Sequence, residues 1–349
     1  SYYIGGKDLV YYGEGETTTA PNVGRVCVYD FDLGSETTLI ANLPGASADN
    51  DIMNVKVGGI GFSQMHLYVQ CNAGALYIYS LNADGKSVGE LVKSFTPAQL
   101  KTLVGDQFVR IRNFEVVNDE QFAFFYHVPA AGNTRLHVVG TPPVTAWWRN
   151  PTVKYKELAE SGGPHYLNKD ESDQYLFFSA VPGGTGYLYS MPALIAASSP
   201  DAVAPIASAV PANYYGNWKT AAISDDLLRV LTGSAGAPIM ENASLPLTAP
   251  WIKDVNVFAI TNDPVTIQFD GADFSHTSQY LYSDYYNTSR NKIIQWNVVN
   301  LLAGGIGLTT NNVFTTSIKR VRNVSNYYIG GKDLVYYGEG DAATASTSK

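Results

Sequence analysis

The sequence predicts an all-β chain folded as a six-bladed β-propeller with four-stranded blades. Three observations support this. Strand-like runs rich in Tyr, Val, Leu and Phe recur with a period of about 54 residues. Helix signals are scarce, and Gly, Pro, Asn and Asp turns separate the runs. Fourteen residues, YYIGGKDLVYYGEG, occur twice, at Tyr2–Gly15 and at Tyr327–Gly340, offset by 325.

In chain order, each unit shows one strong strand followed by a second. Lys7–Tyr12 precedes Arg25–Asp30, and His66–Gln70 precedes Ala75–Ser80. Gln121–Tyr126 precedes Thr134–Val139, and Gln174–Phe178 precedes Gly186–Ser190. Leu227–Leu231 precedes Ala237–Met240, and Gln279–Ser283 precedes Lys292–Trp296. Lys332–Tyr337 then repeats the first. Taking Leu9, Leu67, Phe122, Tyr175, Leu228, Tyr280 and Leu334 as markers, the steps are 58, 55, 53, 53, 52 and 54 residues. An inner strand is expected before each marker: Ile52–Val57, Val109–Val116, Pro164–Asn168, Trp218–Ile223, Val265–Phe269 and Ile318–Val324. A fourth strand follows in places, as at Thr37–Ile40. Four strands per unit, repeated radially, make a propeller. A seven-bladed ring is the alternative; a parallel β-helix is the weaker rival, since its coils are shorter than this repeat. Two short helices are expected, at Pro97–Val104 and Pro192–Ser198.

Composition agrees. Tyrosines number 24, and charged residues are only 15%. Tyr and Thr suit pleated, half-buried surfaces. The net charge of −8 argues against nucleic acid or an anionic membrane as the main partner. No run of about 18 apolar residues occurs, so no membrane-spanning helix is expected. Cys27 and Cys71 lie outside any C-x-x-C pattern and read as two buried thiols rather than a metal or redox site.

The stretch Val28-Tyr29-Asp30-Phe31-Asp32-Leu33-Gly34 resembles the TolB/PD40-like propeller repeats, in which a strand and loop lead to a strand ending in Tyr-Asp. The resemblance implies a propeller over most of the chain and implies no activity. The expected domain is 1–340, closed by both terminal segments, with 341–349 a flexible tail or linker. Both copies of the repeated segment claim the same slot. Three arrangements stay open: a unit cut from a tandem array, a spare strand donated to a neighbouring molecule, or a seventh blade.

Propeller ligands sit at the central channel or on one face, so inner-strand side chains come first. Alignment on the markers places Lys56, Arg112, His165, Lys219, Asp270 and Arg322 at comparable depth. A mostly basic ring in an acidic protein would attract an anionic small molecule or a uronate-bearing glycan. Against it stands the plainer reading of internal ion pairs. Trp147, Trp148, Tyr214, Tyr215, Trp218, Tyr285 and Tyr286 form aromatic loop clusters that would stack on sugars if they lie at the surface. Packing between blades is their other use.

The five histidines, among them His165 and His276, show no metal-ligand spacing, so no metal or cofactor is expected. No G-x-S-x-G elbow occurs. Asp119, Asp170, Asp173, Asp225 and Asp226 precede marker strands and read as turn formers.

The expected function is a non-catalytic binding or adhesion module, secreted or on the cell surface. Carbohydrate binding and self-association through Tyr2–Gly15 and Tyr327–Gly340 are part of that expectation. The alternative is a secreted carbohydrate-active enzyme, a polysaccharide lyase or hydrolase, using the channel.

Overall fold

In the computed structural model the described residues are 2–4, 7–14, 25–30, 35–41, 43–44, 52–71, 74–105, 108–129, 135–140, 146–149, 151–157, 166–170, 172–179, 186–209, 221–223, 229–234, 237–243, 253–256, 272–274, 280–284, 292–297, 309–315, 322–328 and 333–338. Their strands fall into six sheets. Five are four-stranded meanders in which each strand pairs antiparallel with the next in sequence. The inner strands are Ile52–Gly58, Phe108–Val116, Tyr166–Lys169, Ala221–Ile223, Ala272–Phe274 and Arg322–Tyr328. Each touches the next around a circle, and Arg322–Tyr328 returns to Ile52–Gly58. This is a propeller.

Why these runs become blade strands is legible in their alternation. A blade is covered on both faces, so both parities must be apolar. In Phe122–Pro129, Phe122, Phe124 and Tyr126 pack in a cluster with Leu167, Leu176 and Phe178 of the next sheet. The intervening Ala123 and Phe125 pack in another, with Tyr68, Leu76 and Ile78 of the sheet before. Likewise Met65, Leu67, Val69 and Cys71 join Val26 and Val28 of the first sheet, while Tyr68 faces the third. The hydrophobic core is thus a series of inter-sheet layers. Cys27 and Cys71 are buried thiols, Cys27 Sγ lying 3.7 Å from Thr38 Oγ1.

Both expected helices form, between sheets. Pro97–Val104 begins with a capping box: Thr96 Oγ1 accepts from Gln99 N–H, and Gln99 Oε1 accepts from Thr96 N–H. It ends at Gly105, whose φ of 67° suits glycine. Leu100 and Val104, four residues apart, enter the layer between the second and third sheets. Met191–Ala196 is capped by Ser190 and buries Met191 and Leu194 in the next layer. Lys154 Nζ donates to its C-terminal carbonyls Ile195 O (2.6 Å) and Ala197 O (2.7 Å).

The first sheet differs. Its strand order is Arg322–Tyr328, Asp333–Gly338, Lys7–Glu14, Arg25–Asp30, Ser35–Ile40, with Tyr2–Ile4 also on Lys7–Glu14. It holds six strands, against four in each other sheet.

One inner-strand expectation is corrected. The inner strand beside Tyr280–Asp284 is Ala272–Phe274, not Val265–Phe269, which lies outside the described residues. Five residues separate Phe274 from Tyr280, as five separate Val116 from Phe122 and Lys169 from Tyr175, so Val265–Phe269 lies too far back along the chain to be the hairpin partner.

Candidate functional site

In the second, third and fourth sheets the turns joining inner to second strands are tied into a belt. The turn at Val117–Phe122 closes by Val117 N–H to Phe122 O (3.0 Å). The turn at Asp170–Tyr175 closes likewise, Asp170 N–H to Tyr175 O (3.3 Å). Glu120 and Asp173 occupy the same place in them, with φ of 61° and 57°. Side chains other than Gly enter this region at a cost, so the surrounding structure must hold them there.

Their carboxylates show what holds them. Glu120, on the third sheet, reaches the second: His66 Nδ1 stands 2.8 Å from its Oε2, and Tyr68 OH donates to Oε1 at 2.6 Å. Trp148 Nε1 donates to Tyr68 OH (3.2 Å), and its ring lies edge-on to His66. Asp173, on the fourth sheet, accepts from the Asn118 N–H of the third at 2.7 Å. It also pairs with Lys169 Nζ at 2.6 Å, and Lys169 donates to Asn118 Oδ1 at 3.1 Å. Gly59 N–H completes the belt by donating to Asn118 O (2.9 Å).

Below the belt, Lys56 Nζ and Glu115 Oε1 meet at 2.6 Å between the second and third inner strands, both side chains buried. Asn54 Nδ2 donates to Gln70 Oε1 beside them (2.7 Å).

The electrostatics follow from burial. Desolvation, then the Glu120 charge and the hydrogen bond to it, hold the Tyr68 phenol well above its ordinary value. Burial alone would lower the Lys169 ammonium; the Asp173 carboxylate, aided by Glu115 and Asp170, overrides it and the net shift is upward. Tyr79 is pushed up to about 12, first by desolvation and then by Tyr77 and Cys71.

Of the six channel candidates, Lys56 is buried against Glu115, a partner the marker alignment missed. Arg112 falls at a bulge where the ladder skips from Asn113–Tyr126 to Ile111–His127, so depth along that strand is not set by counting from the marker. Arg112 and Arg322 lie on inner strands, and their side chains are outside the described residues. His165, Lys219 and Asp270 lie outside them altogether.

Of the loop aromatics, Trp147 and Trp148 take the packing use. They are 0% and 8% exposed, in the layer between the second and third sheets. Trp147 stacks near Tyr68 and Phe95 and meets Phe125 edge-on. A large ring between two flat sheets removes more surface from water than any solvent-facing pose. Tyr214, Tyr215, Trp218, Tyr285 and Tyr286 lie outside the described residues. Among the described residues of the belt, Phe62 is the exposed aromatic, 58% exposed in the turn after Gly59. Its isolation between Gly61 and Ser63 was the available signal.

The turn carboxylates behave as expected where described. Asp119 accepts from Gln121 N–H (2.9 Å), and Asp170 accepts from Tyr175 N–H (2.6 Å) and from Ser172. Among the described residues no group of His, Cys, Asp and Glu has metal-binding geometry. No described helix is long and apolar enough to cross a membrane.

Comparison with solved structures agrees on the fold. A hypothetical selenium-binding protein from Sulfolobus tokodaii aligns over 91% of this chain and 80% of its own, with a TM-score of 0.57 and 10% identity. A putative 6-phosphogluconolactonase from Bacteroides uniformis aligns over 88% and 82%, TM-score 0.55, 11% identity. The periplasmic gluconolactonase of Pseudomonas aeruginosa aligns over 95% and 84%, TM-score 0.54, 11% identity. These likenesses show the propeller alone. No protein-family model matches the chain, and no curated protein matches it by sequence.

Proposed function

We propose that the chain is a non-catalytic binding module of adhesion type, secreted or on the cell surface, that presents the belt end of its propeller to a glycan. The observation that carries this is Phe62. It is an exposed ring on a turn fixed by Phe62 N–H to Gly59 O (3.0 Å) and, through Gly59 N–H, by the third sheet. A rigid aromatic beside exposed Ser63 and Gln64 offers a stacking face with hydrogen-bond donors next to it. The charges described on the inner strands near it are spent on one another. Besides the glycan, a second copy of this chain fits as a partner through the repeated terminal segments.

A second reading, a secreted polysaccharide lyase or hydrolase, is favoured by one feature. Glu120 fixes His66 through Nδ1, and His66 Nε2 is buried without a hydrogen-bond partner among the described residues. A carboxylate-oriented imidazole is the arrangement of a general base.

The test is titration of the purified chain and of Phe62→Ala with polygalacturonate and neutral polysaccharides, following heat of binding and release of reducing or unsaturated ends. The binding reading expects saturable heat, at least tenfold weaker affinity in Phe62→Ala and intact polysaccharide. Cleavage that His66→Gln abolishes would instead establish the enzyme. Absence of both heat and cleavage would sink both readings.

A further inference from the structure

The two copies of the repeated segment make the same local pairing. In the N-terminal copy Tyr2 pairs with Leu9 and Tyr3 with Asp8. In the C-terminal copy Tyr327 pairs with Leu334 and Tyr328 with Asp333. Each of these positions is displaced by the 325-residue offset, so the hairpin is reproduced residue for residue. The copies then lie side by side, parallel, with Tyr12 opposite Tyr337, which are the same position of the repeat. Every other strand pairing described is antiparallel.

The copies share one job. In the other sheets a single second strand pairs inward with the inner strand and outward with the third. Here Asp333–Gly338 makes the inward pairing, to Arg322–Tyr328, and Lys7–Glu14 makes the outward one, Val10 opposite Tyr29. The path from inner to outer strand is therefore one strand wider than in its neighbours, and the join between the halves is the parallel seam.

We infer that this seam is an exchange interface: Asp333–Gly338 of one chain pairs beside Lys7–Glu14 of a second copy of the same chain. Sequence and register are identical, so the seam within one chain and the seam between two have the same pairs. They differ only in effective concentration, which the folded ring sets within one chain and the protein concentration sets between two. Exchange is thus favoured when folding occurs at high protein concentration, as in strand-swapped assemblies. Reciprocal exchange closes a dimer, and one-way exchange extends a chain. The inference builds on the self-association named above and is independent of any glycan.

The experiment uses the full chain. Opposed residues in neighbouring strands are close enough for a disulfide. Tyr12→Cys and Tyr337→Cys variants are mixed, refolded together at high concentration and oxidised. The parent chain, with Cys27 and Cys71 buried, gives the background. Expected is a disulfide-linked dimer in the mixture, several-fold above either variant alone. A mixture that stays monomeric while the double variant Tyr12→Cys/Tyr337→Cys cross-links within one chain would overturn the proposal, as would failure of both to cross-link. A second measurement needs no variant. Light scattering of the parent chain, refolded at high concentration, should show oligomers that excess YYIGGKDLVYYGEG peptide, present during refolding, shifts to monomer. Monomer at every concentration overturns the proposal whether or not the glycan binds.

Discussion

At the scale of single residues, the buried charges decide most. Lys56 and Glu115 are nearly inaccessible and face one another across two inner strands. Desolvating both is costly, and their attraction offsets that cost only while both are present. Lys56→Met takes this counter-charge from a buried carboxylate and should destabilise the fold by about 3–5 kcal/mol. The double variant Lys56→Met/Glu115→Leu should recover most of that loss. Urea denaturation of the single and double variants measures the difference; equal midpoints would show that the pair contributes nothing specific. Lys56 was readable from the sequence as an inner-strand residue, but Glu115 was not. A salt bridge between strands 59 residues apart depends on how neighbouring blades nest, and a bulge at Arg112 shifts the register that counting assumed.

At the scale of elements, the turns between inner and second strands form the inter-sheet clasp. Gly58 packs against the Glu120 side chain, so a Cβ there would stand 2.6 Å from Cγ and 2.7 Å from Oε1. Gly58→Ala should therefore push Glu120 from His66 and Tyr68 and cost about 1–3 kcal/mol, the penalty of a disturbed buried polar group. Thermal melting of Gly58→Ala against the parent chain checks this. An unchanged melting temperature in Gly58→Ala would show that Glu120 is not held as described. Asp119 and Asp170 were legible as turn residues because Asp bonding its own backbone is a local event. Glu120 and Asp173 were not legible as clasps, because what makes them so is the neighbouring sheet.

At the scale of the whole molecule, three groups on two sheets share one pH dependence. Tyr68, Tyr79 and Lys169 all have folded pKa values raised above their ordinary ones. A raised folded value favours the protonated form, so the stability they contribute is complete below about pH 10, the unfolded range of Tyr and Lys. It is lost as pH rises through the folded values, that of Tyr79 being about 12. The urea midpoint should thus hold from about pH 8 to 9.5 and fall above about 10.5. Phenolate absorbance should show a tyrosine class lagging behind the exposed one. A midpoint that rises above pH 10.5 would contradict these assignments.

The sequence by itself determined the propeller, its period, the two short helices and the second and third strands of each sheet. These depend on alternation, turn residues and caps, which are properties of a few consecutive residues. It also showed the fourteen-residue duplication and hence that two segments compete for one slot. Only the tertiary structure decided that the competition becomes a parallel seam with Tyr12 opposite Tyr337. It alone put Trp147 and Trp148 inside a layer, left Phe62 outside, and spent Lys56 on Glu115. Those outcomes are set by which faces meet across sheets, and a local pattern carries no information about its neighbour.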